Sequence, residues 1–281
     1  MRLIKENISS PLGQAVLKGY VLDNYDNVDP DRKRPAIIIC PGGGFDHLSP
    51  REGEPVAVRM LSHGFQAFIL EYSLDPARFP VAVSELAAAV KYLRQHAQSL
   101  HIASDAIWVA GMSAGGHVAA SLGVYWHNPL LNDLGFDPQQ IQPNGLLLGY
   151  PVITSGQFAH RYSINSLLGD DSNNPQALKS VSLEEQVSKF TPPTFLWSTA
   201  DDQSVPCENA ILFANAMKAH HRPFQLHVFP SGRHGSSLGT AETALPDGKY
   251  RAASIVSWPE MFTDWAQNIG HTFLNFHQQS K

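Results

Sequence analysis

Ala106-Ile107-Trp108-Val109-Ala110-Gly111-Met112-Ser113-Ala114-Gly115-Gly116-His117 is the stretch on which the reading of this chain turns. The apolar run at its start predicts a buried strand, and the small-residue run that follows it, Val118 to Gly123, predicts a helix. Between them stands Gly-x-Ser-x-Gly, the pattern of a nucleophile elbow, in which a serine occupies the tip of a tight strand-to-helix turn. Side chains at 111 and 115 would hold strand and helix apart, so the turn requires both positions to be nearly bare. The pattern alone says little, because glycine and serine are common. Its position between a strand and a helix makes it specific.

Working outward, Ala36 to Cys40 is short and wholly apolar, as expected of a strand covered on both faces, and it ends in Pro41-Gly42-Gly43-Gly44-Phe45. Further strands are predicted over Phe65–Tyr72, Gly145–Tyr150, Thr194–Thr199 and Phe224–Phe229, with Val16–Leu22 as an edge strand ahead of a polar loop to Arg34. Helical spacing marks Glu54–His63, Phe79–Leu100 and Ile211–His221. It also marks Met261–Phe276, with Phe262, Trp265, Ile269 and Phe276 facing inward. Alternating strands and helices predict the α/β class: a mostly parallel sheet with helices on both faces. One domain over 1–281 fits this pattern. Residues 151–192 and 236–257 are too long for ordinary connections and are expected to line or cap a site.

Composition narrows the function. The formal net charge is −5 and no basic stripe is present, so nucleic acid is not an expected partner. No apolar leader or bilayer-length run appears, so no membrane association is expected. Cys40 and Cys207 read as reduced thiols of a cytoplasmic protein. No His/Cys spacing suggests a metal, Asp170-Asp171 reads as a solvated turn, and no cofactor is expected.

A serine hydroxyl attacks only when a base takes its proton. Of thirteen histidines, His234 stands out: it follows the last predicted strand and is flanked by Gly232 and Gly235. His117 reads as a packing residue of the elbow helix, and His47 stands where it could line the mouth. The carboxylate that orients the base is expected after Thr199, in Ala200-Asp201-Asp202-Gln203. Asp201 is the first choice. Asp202 is the alternative, otherwise a helix-capping acid before Pro206. Amides of Gly43 and Gly44, with that of Ala114, supply an oxyanion hole. A phosphate-cradling reading of the glycine run fails for want of a following Lys-Ser/Thr. Phe45 and Tyr150 are candidates for the substrate pocket, with Trp126 and Trp258 as further aromatic options.

With these residues assembled, the chain resembles the α/β-hydrolase esterases of the hormone-sensitive-lipase and acetyl-xylan-esterase-like (BD-FAE-like) group, from about Ala36 onward. The resemblance implies a sheet of about eight strands, Ser113 as nucleophile, His234 as base, Asp201 as its orienter, and Gly43, Gly44 and Ala114 as oxyanion donors. It also implies a serine carboxylesterase for short acyl esters, acetylated carbohydrates among them. Dimers and tetramers are frequent in the group, and oligomeric state stays open. Two departures stand out. Proline 41 replaces the usual histidine before the glycine run, and residues 1–34 hold no helical cap, which implies a shallow, open site. The alternatives are a prolyl-oligopeptidase-like peptidase, suggested by Thr199-Ala200-Asp201-Asp202, and a non-catalytic small-molecule receptor on the same scaffold.

Overall fold

The computed structural model describes the backbone of residues 1–278 and the side chains of residues 1–269. Phe276, expected on the inward face of the last helix, lies outside the described side chains.

Eight strands form one sheet in the order β1-β2-β4-β3-β5-β6-β7-β8. They are β1 (Arg2–Ser9), β2 (Gln14–Val21), β3 (Arg34–Cys40), β4 (Gln66–Glu71), β5 (Ile102–Met112), β6 (Gly145–Gly149), β7 (Thr194–Thr199) and β8 (Phe224–Phe229). Strands β3 to β8 pair in parallel, while β2 runs antiparallel to both β1 and β4. The helices are α1 (Glu54–Ser62), α2 (Val81–Gln95), α3 (Ala114–Tyr125), α4 (Pro129–Asn132), α5 (Pro138–Ile141), α6 (Arg161–Leu168), α7 (Pro175–Val181), α8 (Glu208–Ala219) and α9 (Trp258–Gln278).

Side chains alternate across the sheet, which splits the core in two. Ile38, Val109, Leu146, Leu148 and Leu196 pack toward α2, α3 and α8. Ile37, Ile39, Ala110, Leu147 and Trp197 face the other way and meet α1 and α9, where Phe262 is fully buried. Burial on both faces explains why the central strands carry continuous apolar runs.

The expected edge strand is corrected. β2 is second in the sheet, and β1 covers its outer side with a full ladder. β1 hid from pattern reading because its side chains are mostly exposed. Helix α2 is shorter than its apolar spacing predicted, ending at Gln95, with His101 in the left-handed region just before β5.

The carboxyl ends of the parallel strands release the loops that matter: 41–49 after β3, Ser113 after β5, 200–206 after β7 and 230–236 after β8. The insertion 151–192 folds into α6, α7 and short 3-10 turns beside them, and 236–257 forms an irregular segment with two 3-10 turns. Among the described residues no helix is long and apolar enough to cross a membrane.

Candidate active site

Ser113 sits at φ 54° and ψ −123°, a conformation that costs about 1–3 kcal/mol in a residue other than glycine. The surroundings hold it there. Its amide donates to the carbonyl of Gly149 at 3.0 Å, and its own carbonyl accepts from Val152 at 3.0 Å. The turn closes only because its flanks are bare. A Cβ on Gly115 would stand 2.0 Å from the carbonyl oxygen of Cys40, and one on Gly111 would stand 2.0 Å from that of Gly115. Helix α3 thus begins directly under the serine and presses against β3 and β5.

The loop after β8 brings His234 over this turn. Its Nε2 lies 2.8 Å from Ser113 Oγ, and its Nδ1 lies 2.7 Å from Asp202 Oδ2. Because a carboxylate only accepts, Nδ1 carries the proton, and Nε2 is left to accept from the serine hydroxyl. Asp202 has no exposed side-chain surface, and its second oxygen accepts from the amides of Ser204 and Val205 at 2.8 and 3.0 Å. This carboxylate therefore caps the turn before α8 and meets the imidazole at once.

The first choice for that partner is corrected. Asp201 is exposed and makes no contact with His234, accepting instead from the amide of Gly232 at 2.8 Å. The carboxylate that reaches His234 belongs to Asp202. Asp201 instead pins the loop that carries the histidine.

Gly43 and Gly44 lie in the loop after β3, both at positive φ (131° and 66°). Their amides, and that of Ala114, have no intramolecular acceptor among the described residues. Gly42 anchors the loop: its amide donates to Glu52 Oε2 at 2.8 Å, and a Cβ there would come within 2.8 Å of Ser113 Cβ. Glu52, only 2% exposed, also accepts from the Tyr150 hydroxyl at 2.7 Å, and that hydroxyl in turn accepts from the amide of Ser237. A buried carboxylate thus ties the glycine loop to the segment that follows the histidine. Nothing in the sequence pattern singled out Glu52; a lone acid between Arg51 and Gly53 carries no motif.

The two pocket aromatics are also corrected. Tyr150 is buried, its ring edge-on to His234 and its hydroxyl spent on Glu52. Burial and the Glu52 carboxylate hold its phenol well above the usual tyrosine range. Phe45 is 3% exposed and packs edge-on against Tyr72 and His117. Trp126 and Trp258 are buried as well, the latter stacked on Trp197. None of the four lines the cavity over Ser113. His117 packs as expected; its Nε2 donates to the carbonyl of Val181 at 3.0 Å, and burial lowers its pKa to about 4.

The cavity, of about 610 Å³, is lined mostly by residues with polar or charged side chains. Asp46, His47 and Tyr162 form one cluster in its lining, with His160 beside His234, and Arg51, Arg233 and Tyr250 form another. His160 and Tyr162 come from the insertion 151–192, and Tyr250 from 236–257, so both long segments reach the site. His160 stacks 6.4 Å from His234, and its pKa is lowered by burial first and by the neighbouring imidazole second. Tyr162 donates to Asp46, which also meets His47 Nδ1 at 2.5 Å. Among the described residues no group of three His, Cys, Asp or Glu is placed to hold a metal ion, and Cys40 and Cys207 are free thiols.

A hydroxyl, an imidazole and a buried carboxylate in hydrogen-bonded series, beside unpaired amides, have the components for acyl transfer. Comparison with known proteins points the same way. The BD-FAE family model matches residues 22–217. An acetylxylan esterase of Xylanibacter ruminicola is 29% identical over 73% of this chain and 42% of its own length. Among solved structures, an acetyl ester-xyloside bifunctional hydrolase from Caldicellulosiruptor lactoaceticus is 36% identical. The match covers 91% of this chain and 88% of that one, with a TM-score of 0.78. The carboxylesterase Cest-2923 from Lactobacillus plantarum is 31% identical over 96% and 98% of the two chains, with a TM-score of 0.87. The chain spans 34% and 42% of the length of two curated relatives that it matches.

Proposed function

We propose, because the chain belongs to the BD-FAE family of α/β-hydrolase-fold proteins, that it is a serine carboxylesterase cleaving short acyl esters, with acetylated carbohydrates as the substrate class. The observation that carries this reading is the series Ser113 Oγ, His234 Nε2, His234 Nδ1, Asp202 Oδ2, with both contacts under 3 Å.

In this reading His234 takes the hydroxyl proton as Ser113 Oγ attacks the ester carbonyl. The amides of Gly43, Gly44 and Ala114 receive the developing oxyanion. Asp202 accepts from Nδ1 and stabilises the imidazolium, which then protonates the departing alcohol. Water enters, gives its proton to His234 and releases the acid from Ser113. Support for a sugar as the alcohol comes from the polar side chains that line the cavity, and from relatives whose names speak of acetylxylan and of acetyl ester and xyloside. One domain over 1–281, with both insertions bordering the site, belongs to the same proposal.

Rates on acetyl and decanoyl aryl esters, measured beside acetylated xylo-oligosaccharides and a prolyl anilide, test the reading. Preference for acetyl esters, with acetate released from the oligosaccharides, is the expected result. A preference for the decanoyl ester or for the anilide would overturn it.

A further inference from the structure

The wall of the cavity that carries Arg51, Arg233 and Tyr250 has no part in the acyl-transfer series. The Arg51 guanidinium lies 3.9 Å from the centre of the Tyr250 ring, that of Arg233 at 5.6 Å, and Lys249 Nζ at 5.5 Å. Three cations thus converge on one ring. Tyr250 itself is held at φ 73°, a conformation side chains rarely adopt, which is the kind of backbone strain that gathers at ligand sites.

None of the three cations makes an ion pair among the described residues. The carboxylates of the same cavity are already engaged. Glu52 takes Gly42 and Tyr150, Asp46 takes Tyr162 and His47, and Asp201 takes the amide of Gly232. Arg51 is further fixed from one edge, since its Nε donates to the carbonyl of Gly235 at 3.3 Å. Its face rests on Tyr250, and its terminal N–H groups have no partner among the described residues. An anion bound beside this ring is attracted by each of the three cations. A guanidinium held by its Nε and its face is preorganised to take a carboxylate through its remaining N–H groups. Gly235 directly follows His234, so a carboxylate held here lies beside the reacting ester.

We infer that this wall is an anion subsite and that the preferred ester substrates carry a carboxylate, through Arg51 and Arg233 with Tyr250 as their support. The inference rests on the esterase reading for its kinetics but not for its binding chemistry. The carboxylate has two sources, the alcohol portion (a uronic acid or its like) or the acyl portion (a dicarboxylic half-ester).

Two substrate pairs separate the sources: 4-acetoxybenzoate against its methyl ester, and mono-4-nitrophenyl succinate against 4-nitrophenyl butyrate. Each ratio of kcat/KM is corrected for uncatalysed hydrolysis. We expect the anionic member of one pair to be favoured about tenfold at low salt, the worth of one charge-assisted contact. That preference should fall toward unity in Arg51→Gln and in Arg233→Gln, and shrink as salt is raised. Preference in the first pair assigns the carboxylate to the alcohol; in the second, to the acyl group. No preference in either pair, or a preference that persists in the double variant, overturns the inference. Calorimetric titration of the protein with D-glucuronate against D-glucose reads the cations without chemistry. Where the first pair shows the preference, binding of the acid alone, lost in the double variant, is the expected result, and equal or absent binding of both sugars counts against the subsite. Failure to hydrolyse any ester, with glucuronate still bound, would sink the esterase reading and leave the subsite standing.

Discussion

The Asp202 side chain lies wholly out of solvent with both oxygens engaged, and the price of disturbing it should be paid at His234. Asp202→Asn keeps the shape but offers an amide to Nδ1, favouring the wrong tautomer; kcat should fall about ten-thousandfold, as in serine proteases. Asp201→Asn should leave kcat within a few fold, because its bond to the Gly232 amide survives with an amide oxygen as acceptor. Steady-state kinetics on an acetyl aryl ester compares the two directly, and equal losses would deny the distinction. Loss of the Ser113 hydroxyl should cost about a millionfold, on the subtilisin precedent. At this scale the sequence was legible where a residue type had a motif around it. Ser113 had its glycines and His234 its position after the last strand. Two adjacent aspartates offer no such sign, since which one turns inward depends on the backbone path after β7. The aromatic residues are illegible in the sequence for a related reason. Phe45 and Tyr150 follow strand ends, but their backbones, at φ 70° and 33°, point the rings into the core.

The elbow and the glycine loop are the elements whose geometry the rest depends on. Gly115→Ala would drive a methyl into the Cys40 carbonyl, which is backbone and cannot yield. A loss of several kcal/mol or failure to fold is expected, read by urea denaturation. Glu52 ties the glycine loop to Tyr150 and so to the His234 side of the cavity. Glu52→Ala leaves a buried amide and a buried phenol without an acceptor. It should lower stability by about 2–3 kcal/mol and reduce kcat more than it alters KM. Glu52→Gln, which keeps an acceptor oxygen, should restore most of the rate. If both variants match the wild type in kcat, the carboxylate does not position the loop. The central strands were readable because burial on both faces writes an apolar run into the sequence. β1 was not, because an exposed edge strand leaves its side chains polar. The anchoring role of Glu52 has no sequence signature, since its partners lie ten residues and about a hundred residues away.

For the whole molecule, His117 links stability to pH. Burial lowers its pKa from 6.5 to about 4 in the folded state. Between those values the unfolded chain binds the proton and the folded one does not, so stability rises with pH across this window and is lost as pH falls through it. The shift is worth about 3 kcal/mol in full. Urea denaturation at pH 7 and pH 4.5 should show a stability difference about 2 kcal/mol larger in the wild type than in His117→Gln. Equal differences would show that the imidazole is free to charge in the native state. The fold that buries His117 also gathers loops distant in sequence at one edge of the sheet, and Ser113 is where they meet. The direct test of that convergence is intact-mass analysis after treatment with an alkyl fluorophosphonate. A single adduct per chain, mapped to Ser113 and sharply slowed in His234→Ala, is what the account predicts. No adduct on the wild-type protein, or one that forms at Ser113 equally fast without His234, would contradict it.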